Sequence, residues 1–168
     1  MGTGAESQTK ATKSFTVEFF KHKAPVRLEW TEQGLNKIFL GPPNSAASES
    51  ESKTPKEISY LISQLKLYFS GKLKSFDFHW LDYSNCTGFQ KKVYMAASKI
   101  PFGKTKTYSE IAAAIGQPKA VRAVGTALGK NPWILLVPCH RVKGKSGLGG
   151  FSAPGGVKTK QQLLTLES

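Results

Sequence analysis

KTYSEIAAAIGQPKAVRAVGTALGKNPWILLVPCHRV, residues 106–142, is the stretch on which the fold turns. Thr107 and Glu110 have the spacing of a capping box, which opens a short helix from Tyr108 to Ile115, and Gly116 closes it. After the turn Gly116-Gln117-Pro118, with Pro118 as a first-turn proline, a further helix is predicted from Lys119 to about Lys130. Two short helices about a tight turn read as a helix-turn-helix. The second of them places one long cation, Arg122, among Ala120, Val121, Ala123, Val124, Gly125, Thr126 and Ala127. Reading bases in the major groove calls for several long polar side chains, which this helix lacks, so close docking in a minor groove is expected. Small residues also serve tight helix packing, and the helix alone does not separate the two. The apolar run Trp133 to Val137 then reads as a short buried segment that delivers Pro138-Cys139-His140-Arg141 to wherever the chain emerges.

Upstream, Thr87 and Gln90 form another possible capping box, ahead of Phe89, Val93, Ala96 and Ala97 at helical spacing; Ile100-Pro101-Phe102-Gly103 ends that helix. Downstream, a last helix runs from about Val157 to Glu167. Towards the N-terminus, Phe15, Val17 and Phe19 alternate, followed by Val26, Leu28 and Trp30, then Ile38 and Leu40, the pattern of a small antiparallel sheet. Ile58, Leu61, Ile62, Leu65 and Phe69 form one helical face, with Gly71 as its stop. The predicted fold class is α/β in the broad sense and α+β more narrowly. It has a disordered tail at 1–13, a sheet-plus-helix domain and connection at 14–86, and a mostly helical domain at 87–168. Residues 42–57, rich in Pro, Ser and Glu, read as an exposed mobile connection.

The net charge of +13 lies almost wholly in one half. Residues 1–87 carry 11 Lys and Arg against 9 Asp and Glu, whereas residues 88–168 carry 13 against 2. The second half therefore calls for a polyanion. Nucleic acid fits better than an anionic membrane, because no basic amphipathic helix with a bulky apolar face is present. No apolar run approaches the ~20 residues of a membrane span, and the first 13 residues lack the apolar core of a signal peptide. An intracellular protein with free thiols is expected, without a membrane partner, in the nucleus of a eukaryote or the cytoplasm of a prokaryote. Cys86 and Cys139 form no CxxC, and His22, His79 and His140 are scattered, so no metal is expected.

Cysteine is a strong nucleophile only as thiolate, and a reactive one needs a base or a positive charge beside it. Cys139 has His140 and Arg141 next in sequence. Taken alone, the dipeptide fits a buried structural cysteine better than a nucleophile. Adjacent residues on a strand point to opposite faces, so a working pair needs a turn, for which Pro138 is suited. Lys143-Gly144-Lys145-Ser146 lacks the first glycine of a phosphate loop, since Cys139 stands there.

VPCHRV at 137–142, with KTKTYSEIA and GQPKAVRAVGTALGKNP before it and GLGGFSAPGG and LLTLE after it, resembles the O6-alkylguanine-DNA alkyltransferases over residues 87–168. The N-terminal half is compatible with that family. The resemblance implies direct-reversal DNA repair. An alkyl group, typically methyl, passes from O6 of guanine, and from O4 of thymine, to the protein's own Cys139, irreversibly and once per molecule. The implied partner is double-stranded DNA carrying O6-alkylguanine; no cofactor and a monomeric protein are expected. Cys139 matches the alkyl acceptor, His140 the histidine that relays the thiol proton through a water, and Glu167 its carboxylate partner. A buried carboxylate that stabilises the imidazolium is expected to populate the thiolate near neutral pH. Asn131 matches an asparagine that braces the turn before the cysteine, and Arg141 is expected to support the site. Tyr108 and Arg122 match the pair that rotates the nucleotide out and fills its place, and Gln117, Ala123, Gly125 and Ser146 are the further DNA contacts implied. Backbone groups of Val137 and Val142, the hydroxyls of Tyr108 and Ser152, and Phe151 form the implied guanine pocket.

The chain departs from the family pattern in places. Phe151 stands where many members have Tyr, and Ile134 where some have Pro. One residue is lost between Cys139 and Phe151, and about two are gained between Phe151 and Glu167. Two rivals remain: a relative that binds alkylated guanine without repairing it, against which Cys139 speaks, and a Cys-His hydrolase, for which no framework surrounds the pair.

Overall fold

The structure, a computed structural model, describes residues 10–19, 22–41 and 53–168. Strands β1 (Ala11–Phe19), β2 (His22–Thr31) and β3 (Gly34–Leu40) form an antiparallel meander in chain order. The alternation read from the sequence is the buried face: Val17, Phe19, Val26, Leu28, Trp30, Ile38 and Leu40 all point to the core. Helix α1 (Lys56–Phe69) lies against this sheet with Ile58, Leu61, Leu65, Tyr68 and Phe69 buried, and Phe69 meets Phe19 edge-on at 5.3 Å. Of the tail assigned to 1–13, residues 1–9 lie outside the described residues. Residues 11–13 belong to β1, because Ala11, Thr12 and Lys13 pair with Trp30, Glu29 and Leu28 through the backbone, which needs no apolar pattern. Of the connection assigned to 42–57, residues 42–52 lie outside the described residues and Lys56 and Glu57 start α1.

The second half is built on α2 (Gly88–Ser98), α3 (Tyr108–Ala114), α4 (Val121–Gly129) and α5 (Gly156–Leu166). Two-residue strands β4 (Lys106–Thr107) and β5 (Val142–Lys143) pair in parallel. Both capping boxes form: Thr87 with Gln90, and Thr107 with Glu110. Gly116, at φ +75°, ends the α3 segment as its sequence implied. Pro118 is not a first-turn proline of α4. It sits in a turn closed by Ala120 N–H donating to the Gln117 carbonyl, and α4 starts at Val121.

Strand β3 joins the halves. Its Leu35 N–H donates to the Trp80 carbonyl at 2.7 Å, and Asp82 N–H donates to the Leu35 carbonyl at 3.0 Å. Ile38 N–H donates to the Pro132 carbonyl at 2.8 Å, and Trp133 Nε1–H donates to the Leu35 carbonyl at 2.7 Å. The edge of the sheet is thus covered by the segments that lead into and out of the helical half, instead of standing open. Gly34, at φ +141°, permits this approach, since a Cβ there would stand 2.9 Å from the Trp80 carbonyl oxygen.

Candidate active site

Trp133 to Val137 is the short buried segment expected, and it is folded into a tight turn. Val137 N–H donates to the Trp133 carbonyl at 2.8 Å, and Leu135 takes the left-handed φ of +76° that a branched residue adopts only under constraint. Asn131 supplies the constraint. Its Oδ1 accepts from Trp133 N–H at 3.0 Å and its Nδ2 donates to the Val137 carbonyl at 2.8 Å, one side chain spanning the turn. Pro138 then leads into a single 3-10 turn, Cys139–Arg141, so Cys139 and His140 are not split to opposite faces as they would be on a strand.

Glu167, the C-cap of α5, gathers the turn from behind. Its Oε1 lies 2.7 Å from His140 Nε2, and Arg141 forks onto the same carboxylate with Nε to Oε2 and Nη2 to Oε1, both at 2.8 Å. Arg141 Nη1 donates to the Ile100 carbonyl at 2.7 Å. The side chains of His140 and Glu167 are 1% and 0% exposed. Burial alone would raise the Glu167 pKa, but hydrogen bonds from His140, Arg141 and Tyr68 outweigh it and hold it at about 2. Burial, joined by the charges of Arg141 and Lys160, lowers the His140 pKa against the Glu167 hydrogen bond and charge that raise it. Burial likewise pushes the Cys139 thiol up, against the Asn131 side chain and the Lys160 charge.

The expectation of a populated thiolate therefore needs correcting. Both shifts favour a thiol beside a neutral imidazole in the resting site, and burial is the largest cause of each. His140 Nδ1 is buried with no hydrogen-bond partner among the described residues, so it is the nitrogen left to accept a proton.

Lys160, unremarked in the sequence, is fully buried. Its Nζ donates to the Val142 carbonyl at 2.6 Å and the Gly150 carbonyl at 3.1 Å, tying β5 to the loop that covers the site. Burial lowers its pKa, opposed by the charge of Cys139. Lys160, Leu163 and Glu167 fall at i, i+3 and i+7, the inner face of α5; a lysine on that face was the signal that would have found it.

Cys139 opens on a cleft of about 650 Å³ lined by Tyr108, Arg122, Gly125, Thr126, Phe151 and Ser152 among others. Tyr108 packs over Gly125 of α4, and Gly149 lies so close that a Cβ there would come within 2.7 Å of the Tyr108 hydroxyl. Burial, then the Cys139 charge, raises the Tyr108 pKa, so its hydroxyl stays a donor. Arg122 and Ala123 are exposed on α4, Gln117 is exposed in the turn before it, and Ser146 is exposed on the loop after β5. The carbonyls of Val137 and Val142 accept from Asn131 at 2.8 Å and from Lys160 at 2.6 Å, and each keeps a second lone pair. A larger cavity of about 700 Å³ lies between the sheet and the helical half and lacks Cys139 and His140. Among the described residues no group of three His, Cys, Asp or Glu is placed to hold a metal, and no helix is long and apolar enough to cross a membrane.

A profile of the 6-O-methylguanine DNA methyltransferase DNA binding domain matches residues 88–168. The chain is 42% identical over 146 residues to a methylated-DNA–protein-cysteine methyltransferase of Methanosarcina barkeri, spanning 85% of this chain and 90% of that protein. It is 48% identical over 114 residues to the protein of the same name from Mycobacterium tuberculosis, spanning 67% of each. Among solved structures, the Mycobacterium tuberculosis OGT in complex with DNA superposes with a TM-score of 0.72 at 41% identity, over 85% of this chain and 86% of that one. An O6-methylguanine-DNA methyltransferase from Pyrococcus kodakaraensis shares the fold, with a TM-score of 0.73 at 24% identity over 95% and 99%.

Proposed function

The chain belongs to the methylated-DNA–protein-cysteine methyltransferase family, and from that premise we propose how its own residues carry out direct-reversal repair. It binds DNA and moves the alkyl group of O6-alkylguanine onto a cysteine of its own. The observation that carries the residue assignment is that Cys139 lines a cleft walled by the helix-turn-helix while His140, next in the chain, is hydrogen-bonded to the buried Glu167.

The O6 alkyl carbon lies inside the duplex, so the nucleotide must leave the stack before sulfur reaches it, at a cost on the order of a few kcal/mol. Arg122, exposed at the cleft mouth, fills the vacated place, while the small surface of α4 lets the backbone approach the minor groove. Tyr108 and Ser152 hydroxyls receive the guanine. As the thiol proton passes through a water to His140 Nδ1, sulfur attacks the alkyl carbon in line. The S–C bond forms, the C–O6 bond breaks, and its electron pair stays on O6. The proton returns to guanine, which regains its N1–H. A thioether has no leaving path, so each molecule acts once. O4-alkylthymine presents the same ether carbon and is a second substrate. The protein works inside the cell, in the compartment that holds its DNA. Residues 87–168 form the unit that carries DNA binding and transfer.

The test is to mix the protein with duplex DNA labelled in the methyl of O6-methylguanine: label moves to protein and stops at one per molecule. Turnover beyond one, or no transfer, sinks the reading. Arg122→Ala is expected to slow repair of the duplex by more than about tenfold while transfer from free O6-benzylguanine stays within about twofold, since only the duplex demands extrusion. Equal losses on both substrates would remove the extrusion role.

A further inference from the structure

Tyr68 lies on the last turn of α1, in the N-terminal half, yet its hydroxyl donates to Glu167 Oε1 at 2.7 Å in a buried contact across 99 residues. Phe69, Phe76 and Phe102 hold the ring at centroid separations of 5.3, 5.2 and 6.3 Å, so the hydroxyl has little freedom to turn elsewhere. The oxygen it reaches is the one that faces His140 Nε2, and Arg141 Nη2 donates there as well. A carboxylate oxygen offers about two lone-pair sites. Three donors on one oxygen share its electron density, so each donor weakens the pull on the others.

We propose that Tyr68 is a positioning residue for alkyl transfer, holding Glu167 Oε1 so that His140 stays a neutral imidazole whose Nδ1 is ready for the thiol proton. The inference rests on the transfer reaction proposed above and adds to it a part for the N-terminal half: α1 completes the relay. Arg141 orients the plane of the carboxylate through its fork, whereas Tyr68 tempers the basicity of the single oxygen that His140 uses. The other groups facing this pair are the Gly103 N–H, 3.5 Å from Oε2, and, toward His140, the charges of Arg141 and Lys160. None of them donates a neutral O–H to Oε1. Burial and the neighbouring carboxylate both push the Tyr68 phenol up, so it remains a donor wherever the protein is folded.

Tyr68→Phe keeps the ring contacts and removes the donor. Oε1 then pulls harder on the imidazole N–H, and His140 holds a second proton to higher pH, where it no longer accepts from the thiol. Single-turnover transfer from O6-methylguanine duplex, followed across pH, is expected to lose rate at higher pH than in the unaltered protein, so that on this acid limb the variant is about tenfold slower, the scale of one hydrogen bond to a charged group, and at about pH 8.5 less than about threefold slower. The imidazole titration of His140, followed by NMR, moves to higher pH, while duplex affinity is unchanged. Replacing Tyr68 by 3-fluorotyrosine retains ring and hydroxyl, strengthens the donor, and shifts the titration the opposite way; it decides the matter if the Phe variant folds poorly. An equal slowing at every pH, unchanged transfer, or shifts of the same sign for both replacements would overturn the proposal. Failure of the unaltered protein to take label would instead strike the transfer reaction, and the imidazole titration would still read the Tyr68 contact.

Discussion

Cys139→Ala is expected to abolish label transfer altogether while leaving duplex binding intact. The side chain is buried where it lines the cleft, and the change removes one sulfur without touching Arg122, Tyr108 or the α4 residues that wall the cleft. No other thiol substitutes. The chain's remaining cysteine, Cys86, is half-buried before α2, outside the cleft, and burial raises its pKa first, with Lys91 and Asp82 acting in opposite senses. A gel-shift with O6-methylguanine duplex and intact-protein mass measure the two halves of this expectation. The unaltered protein gains the mass of one methyl group and the variant gains none. Residual transfer by the variant would place the acceptor elsewhere.

Glu167→Gln is expected to damage both stability and transfer. Glu167 is the sole described acid against the buried guanidinium of Arg141, and an isosteric amide leaves that cation without a counter-charge. Breaking one partner of a buried pair costs about 3–5 kcal/mol. The amide also presents an N–H or a neutral carbonyl to His140 Nε2, so the imidazole tautomer is no longer held and transfer falls by about two orders of magnitude or more. The pH dependence follows from the depressed carboxylate. Its folded value of about 2 lies below the ordinary 4.5, so its stabilisation is fully present above 4.5 and is lost as pH falls towards 2. His140, whose folded value is also lowered, adds stability above 6.5 that drains away as pH falls through its folded value. Urea midpoints measured from neutral to acid pH should fall in the unaltered protein below pH 4.5, and that part of the fall should be missing in Glu167→Gln. A variant with the same acid profile would mean that another carboxylate carries it.

Much of this was legible in the chain because the deciding signals were local. Thr107 with Glu110 and Thr87 with Gln90 satisfy helix N-termini within four residues, and both boxes form. Val26, Leu28 and Trp30 alternate because a strand has a period of two, and they are the buried face. The motif order from Tyr108 through Cys139 to Glu167 carried the family. Pro118 misled, since a proline that fits a helix start fits a turn equally well, and the choice went to the turn that Gln117 closes.

What the amino-acid order determined by itself was therefore the helices with their caps, the sheet pattern, the uneven charge and the motif order that carried the family, all properties read along the chain. Tertiary structure alone decided how that cysteine is served. Lys160, a lysine like many others in its stretch, becomes a buried clamp on the loop, and Tyr68, an aromatic on an N-terminal helix, becomes a donor to a carboxylate at the far end of the chain. Arg141, next but one to the thiol in sequence, turns instead to Glu167, and burial pushes the Cys139 thiol up. The reason is physical: desolvation and hydrogen bonding set the charge state of each group, and both depend on which atoms the fold brings within about 3 Å, a distance that sequence separation does not encode.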